Sequence, residues 1–147
     1  VLEVEQNPGV EMMEVRRVLE TESAALAALR ATEENLKKIE ESLYRMKTAR
    51  SVAEAVEADL RFHFAIAEAT RNSILLRIMN TVADLMHNVF RHKREQLFSA
   101  PGKSSEIISE HEAIYTAIRE KNPEQARAQM LKHINNIQNG IELQEKN

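Results

Sequence analysis

The sequence of 147 residues has no cysteine and no tryptophan, and it contains only three glycines and three prolines. The lack of cysteine excludes disulfides, thiolate metal ligands and cysteine nucleophiles. So few glycines and prolines argue against an all-β fold, because such folds need turn residues after each short strand. The aromatic content of 4% argues against base-stacking platforms for nucleic acid. These absences favour a helical protein.

Charge and hydropathy exclude further classes. The net charge is -3 at pH 7, so the chain is a poor candidate for binding nucleic acid across its own surface. No apolar run approaches the roughly 18 residues of a membrane span, and no signal peptide is visible. We therefore expect one domain of ordinary size, located in the cytoplasm and without a membrane partner.

Apolar residues recur at helical spacing in six segments. The predicted helices span about 10–30, 33–48, 52–70, 74–98, 105–121 and 123–140 or beyond, with a break at 71–73 before the fourth. Thr32, Ser51 and Asn122 are predicted caps, and Asn122 is followed by Pro123 at the first helical position. The short connections predict mostly antiparallel neighbours, and hence a helical bundle. The residues predicted to face inward on the first helix are Val15, Val18, Leu19, Ala25, Leu26 and Leu29.

Four polar residues interrupt the inward stripes of three predicted helices. Asp59 and His63 are four residues apart on the third helix, so they share one face. His111 interrupts the stripe of the fifth helix, and His133 interrupts that of the sixth. Burying these groups without partners would cost several kcal/mol. The pattern favours a shared metal or anion site, because three imidazoles and a carboxylate suit a first-row divalent ion. The alternative is a set of hydrogen-bonded core residues.

Two further histidines and one arginine need separate interpretation. His87 lies off the apolar stripe of the fourth helix, and the cations around His92, among them Arg94, predict a solvated basic face. Arg16 flanks the stripe of the first helix. Its simpler interpretation is a surface ion pair with Glu20, four residues later. The functional interpretation is an arginine that reaches over the bundle interior to hold a carboxylate with two hydrogen bonds.

Four segments carry motifs of a known bacterial family. They are Glu14–Glu20, Asp59–Leu75, Glu110–Ile118 and Pro123–Ile134. In order and spacing these segments resemble the FCD domain, the C-terminal effector domain of FadR-type regulators in the GntR family of transcription regulators. The resemblance covers about residues 10–140.

The resemblance implies an all-α antiparallel bundle of six to seven helices around a central ligand and metal cavity, over residues 10–147. Residues 1–9 would be the remnant of a connection to a winged helix-turn-helix domain, which is absent from this chain. The matching motif positions imply that a divalent metal, zinc, nickel or another first-row ion, binds to Asp59, His63, His111 and His133. They also imply that Arg16 meets the carboxylate of an effector.

The function implied by the resemblance is that of an effector-binding domain that binds a small organic acid through the metal. The chain is similar to regulators of lactate, glycolate or pyruvate metabolism, and a citrate-like acid is a further candidate. We expect a homodimer, because symmetric dimers read pseudopalindromic operators. Operator DNA would be bound only through the missing N-terminal domain.

Two other functions remain to be weighed. A metal-dependent enzyme could use a site of three histidines and one aspartate, but catalysis would also need a poised base or nucleophile. No further acid lies on the inward stripes, because Glu110 and Glu112 are predicted to point to other faces than His111. We therefore assign no catalytic residue and expect no enzyme. A purely structural bundle with a satisfied polar core is the other alternative.

Overall fold

The structure is a computed structural model that describes residues 7–146, and this part of the chain forms six α-helices. They are α1 (Pro8–Arg30), α2 (Glu33–Lys47), α3 (Val52–Ala69), α4 (Ser73–Ser99), α5 (Lys103–Arg119) and α6 (Pro123–Lys146). The predicted all-α class is thereby confirmed. Within the described range, no helix is long and apolar enough to cross a membrane. Residues 1–6 of the predicted interdomain connection lie outside the described residues, and α1 already begins at Pro8.

Side-chain caps define the predicted helix starts. The side chains of Thr32, Ser51 and Asn122 each accept a hydrogen bond from the backbone amide three residues later. These contacts satisfy N–H groups that have no partner inside a helix. Each capped start follows a short connection, so successive helices lie side by side.

Asn72 provides the corresponding cap of α4. Its Oδ1 accepts hydrogen bonds from the amides of Ile74 and Leu75 at 3.1 and 3.0 Å. We expect Asn72→Ala to lower the free energy of unfolding by about 1 kcal/mol, because both amides lose their acceptor. Urea denaturation measures this change, with Asn80→Ala at an exposed position of the same helix as the control. An equal loss in the control would contradict the assignment.

The buried face of α1 agrees only in part with the predicted one. Ala25 is buried as predicted and Leu19 packs against the core, but Val15, Val18 and Leu29 are exposed. Arg16 and Glu20 are buried and pair with each other. Small side chains on the same helix let α1 approach its neighbours closely. The apolar stripe therefore marks only part of the inward face of this helix.

The core contains residues from all six helices, and side chains of α3, α5 and α6 meet within it. α1 packs along α6, α2 along α3, and α5 along α6. Phe62, Ile114 and Ile134 are fully buried at this junction. The polar residues one position or one turn away on the same three helices therefore converge at the centre of the bundle.

Candidate metal centre

Asp59, His63, His111 and His133 lie together in the interior of the bundle. One nitrogen or oxygen atom of each residue lies within 4.8 Å of the corresponding atoms of the others. Asp59, His111 and His133 are buried, and the His63 side chain is 11% exposed. The structure thus brings together the four residues that the stripes of three helices single out.

His111 lies between two hydrogen-bond acceptors. Its Nδ1 lies 2.7 Å from the carbonyl oxygen of Ile107, and its Nε2 lies 2.7 Å from Oδ1 of Asp59. Only a protonated ring could donate to both partners. Burial lowers the pKa of His111, which favours a neutral ring with one N–H. When that proton is on Nδ1, the Nε2 lone pair faces the Asp59 carboxylate, an arrangement that a shared cation would satisfy.

Carboxylates face the Nδ1 atoms of the other two rings. His133 Nδ1 lies 2.6 Å from Glu110 Oε1, and His63 Nδ1 lies 2.5 Å from Glu20 Oε1. The second contact is short but poorly aligned, so neither ring nitrogen of His63 has a hydrogen bond among the described residues. In all three rings an acceptor faces Nδ1, so Nε2 is the nitrogen that each ring could offer to a metal. Metal-binding histidines are commonly oriented by such partners.

Two buried arginines offset two buried carboxylates around this cluster. Arg16 pairs with Glu20, and a guanidinium nitrogen of Arg94 lies 3.5 Å from Oδ2 of Asp59. Burial alone would raise the pKa of both carboxyl groups, but the neighbouring arginines and histidines hold the pKa of each well below its ordinary value. An added divalent cation would leave this balanced set positive, which favours an anionic ligand.

Two expectations from the sequence are corrected here, and the expected exposure of two histidines is confirmed. The Arg16–Glu20 pair forms as predicted, but it is buried and does not lie at the surface. Arg94 is also buried, because the carboxylate of Asp59 on α3 partners its charge, so it is not part of a solvated basic face. His87 and His92 are exposed.

The prediction that Glu110 points away from the cluster is wrong. Its side chain faces α6, where it accepts hydrogen bonds from His133 and from Asn136 Nδ2, the latter at 2.7 Å. Burial raises the pKa of Glu110 to about 7. Glu112 does face outward, and it pairs with Lys47 at 2.9 Å.

Two small cavities flank the four residues. One of about 10 Å³ is lined by Arg16, Asp59, Arg94 and His133. The other, of about 30 Å³, borders the opposite side of His63. The first has room for about one water molecule, so side chains must move before a small acid can enter. A larger groove of about 310 Å³ runs along the surface between α2 and α3 and contacts none of the four residues.

The metal-free domain should lose stability when the pH falls below about 6.5, the ordinary pKa of histidine. Burial lowers the pKa of both His111 and His133, so the unfolded chain takes up protons that the folded chain does not. These two rings therefore lower the free energy of unfolding as the pH falls. Glu110, whose pKa is raised to about 7, takes up a proton in the folded chain over the same range and offsets part of this loss. Glu20 raises the pKa of His63 despite the burial of that ring. The stabilisation that His63 contributes is therefore present at low pH and is lost only as the pH rises through its raised pKa.

Urea unfolding of the chelated protein between pH 7.5 and 5.0 measures this dependence. The variant His87→Gln, changed at an exposed histidine, should keep the slope of the unchanged protein. A flat profile below pH 6.5 would show that the buried rings titrate normally.

Comparison with known proteins identifies a family and relatives that this chain resembles. The sequence profile of the FCD domain matches residues 11–136. The chain is 38% identical over 130 residues to the HTH-type transcriptional regulator LutR of Bacillus subtilis, covering 87% of this chain and 59% of LutR. It is 32% identical over 124 residues to the putative L-lactate dehydrogenase operon regulatory protein of Escherichia coli, covering 84% of this chain and 48% of that protein. The chain thus spans about half the length of these curated relatives.

Two solved structures are similar in fold. A Streptococcus agalactiae GntR structure superposes with a TM-score of 0.75 and 25% identity, covering 90% of this chain and 58% of the other. The Escherichia coli McbR/YncC structure gives a TM-score of 0.79 at 21% identity, covering 99% of this chain and 69% of the other. At that lower identity the likeness concerns the fold alone.

Proposed function

The chain belongs to the FCD domain family of GntR-type transcription regulators, and from this premise we propose that it senses a small organic acid with the help of a divalent metal ion. The residues that would hold the ion are Asp59, His63, His111 and His133. The observation that carries the proposal is the convergence of these four on one point, with the His111 ring between two acceptors. The four residues offer donors that suit zinc, nickel or a related ion.

The ion would supply a Lewis-acidic position for a carboxylate oxygen, and the chain itself would supply the remaining contacts. Arg16 borders the cavity beside Asp59 and His133, and only its Nε pairs with Glu20. Its terminal nitrogens offer further donors to a carboxylate. Arg94 borders the same cavity and would add positive charge. An acid would therefore bind between the ion and two guanidinium groups.

We propose that the acid is lactate, glycolate, pyruvate or a citrate-like compound. An α-hydroxy or α-keto acid offers two adjacent oxygens, so it could occupy two positions on one ion, whereas a plain monocarboxylate has one strong donor group. The relative named for the L-lactate dehydrogenase operon and the similar Glc operon transcriptional activator of Escherichia coli, 28% identical over 137 residues, are consistent with this class.

We further propose that the whole protein is a cytoplasmic regulator that binds operator DNA as a homodimer. DNA would be bound through a domain that is not part of this chain. Exposed apolar residues on α1 and α4, among them Val18, Ile74 and Leu85, support association with another surface. The acid can regulate DNA binding only if it favours one arrangement of the dimer over another.

The family also answers the question of catalysis. The relatives are transcriptional regulators, a family that is not enzymatic, which confirms the expectation that this chain is not an enzyme. In the structure, the two further acids beside the cluster already have partners: Glu20 pairs with Arg16, and Glu110 contacts His133 and Asn136.

Native mass spectrometry before and after chelation tests the proposal, because one spectrum reports metal, retained acid and oligomeric state. We expect one metal ion per chain after loading with zinc or nickel, and loss of that mass on chelation. The paired variant Asp59→Asn with His111→Gln should not retain the ion, whereas His87→Gln should. No metal in the unchanged protein under any loading condition would contradict the proposal.

A further inference from the structure

A line of hydrogen bonds leads outward from His133 to Asn136. Glu110 on α5 accepts a hydrogen bond from His133 Nδ1 at its Oε1 and one from Asn136 Nδ2 at its Oε2, at 2.6 and 2.7 Å. His133 and Asn136 are three residues apart on α6, so they lie on one face of that helix. Each oxygen of the carboxylate thus has its own partner on the neighbouring helix.

This arrangement fixes which ring nitrogen of His133 carries the proton. A neutral imidazole has one N–H, and above its pKa of about 7 the ionised carboxylate of Glu110 offers only acceptor atoms to Nδ1. A proton on Nε2 would place the Nδ1 lone pair against a carboxylate oxygen 2.6 Å away. The His133 side chain is 1% exposed, so bulk water cannot take over the role of Glu110. The Nε2 lone pair is therefore directed at the cluster that contains Asp59 and His111.

We propose that Glu110, held in place by Asn136, is a positioning residue that keeps the proton of His133 on Nδ1 and so prepares Nε2 to bind the metal. The proposal rests on the metal site proposed above, but the proton position exists in the metal-free protein as well. Glu110 also neighbours His111 in the chain. Its contact with His133 therefore connects the two helices that contribute these two ligands.

The variants Glu110→Gln and Glu112→Gln form a matched pair. Both residues flank His111 and both changes remove one negative charge, but Glu112 faces outward toward Lys47. A glutamine at position 110 can turn its NH2 group toward His133 and allow the proton to move to Nε2. Asn136→Ala leaves the carboxylate in place and removes only the group that orients it. Circular dichroism establishes that each variant is folded.

Two measurements test the role of Glu110. Two-dimensional ¹⁵N NMR of the histidine rings in chelated protein reports the tautomer of His133, and we expect the Nδ1–H form in the unchanged protein and in Glu112→Gln. In Glu110→Gln the Nε2–H form should appear. Competition between the protein and a chelator for Zn²⁺ should show affinity about 10- to 100-fold weaker in Glu110→Gln, a smaller loss in Asn136→Ala, and no loss in Glu112→Gln.

The outcomes separate this inference from the proposed metal site. An unchanged tautomer together with unchanged zinc affinity in Glu110→Gln overturns the positioning role and leaves the metal site intact. Failure of the unchanged protein to bind zinc overturns the metal site, and the ring spectra alone then decide whether Glu110 fixes the tautomer. If Glu110→Gln does not fold, Asn136→Ala decides the question, and an unchanged tautomer and affinity there overturn the inference.

Discussion

Loading the domain with zinc should raise its free energy of unfolding by about 4 kcal/mol when free zinc is 1,000 times its dissociation constant. The reason is that the donors converge only in the folded chain, where α3, α5 and α6 bring Asp59, His63, His111 and His133 within 4.8 Å of one another. For a domain of this size, about 4 kcal/mol corresponds to a rise of roughly 8–16 °C in Tm. Thermal denaturation of chelated and zinc-loaded protein measures the change.

The variant His133→Ala should lose most of this stabilisation, because it removes the one donor that α6 contributes. His87→Ala is the control, since His87 is exposed on α4, and it should show the full rise. The chelated forms of both variants provide the baselines, which separates the loss of metal binding from the loss of packing around the ring. An equal rise in Tm for His133→Ala and the unchanged protein would remove His133 from the site.

Arg16→Ala should weaken the binding of a small acid to the metal-loaded domain by roughly 10- to 150-fold. A hydrogen bond to a charged group contributes about 1.5–3 kcal/mol, which corresponds to that range of affinity. Isothermal titration calorimetry with lactate, glycolate, pyruvate and citrate measures the loss, and metal content should stay unchanged. Arg17→Ala is the control, because Arg17 binds Asn135 and Gln138 on α6 and does not line the cavity.

The pairing of Arg16 with Glu20 affects how this experiment is read. Removing Arg16 leaves a buried carboxylate beside His63, which itself repels an incoming anion. The double variant Arg16→Ala with Glu20→Gln therefore isolates the lost contact from the repulsion. Equal affinity in the double variant and the unchanged protein would remove Arg16 from the site. Acid binding that survives complete chelation would remove the metal from the mechanism.

The convergence of the four cluster residues could be predicted from the sequence because each of them interrupts an otherwise apolar stripe. A polar side chain on such a stripe must lie in the interior, and interior groups on three helices of one small bundle meet near its centre. The same argument does not predict the burial of Arg94 or the position of Glu110. Arg94 lies among cations that suggest solvent, and its burial depends on the distant carboxylate of Asp59.

The position of Glu110 shows why the surroundings of a residue next to a cluster residue in the chain are hard to predict from the sequence. Successive residues on a helix are about 100° apart, so Glu110 points to the side of His111, and only the packing of α6 determines what lies there. The face of α1 was mispredicted in part for a related reason. Its buried side is formed mostly by small residues and a charged pair, whereas Val15, Val18 and Leu29, which resemble a core face, are exposed.

The distance along the chain between the cluster residues has a consequence for protein synthesis. Asp59 and His111 are separated by 52 residues, and His133 follows later still. When α3 leaves the ribosome, it offers only two donors, Asp59 and His63, which cannot by themselves surround an ion. The third and fourth donors emerge with α5 and α6. If the cluster binds a metal as proposed, a nascent chain would therefore compete poorly for scarce cellular metal, and the ion would bind only after translation has passed the last ligand.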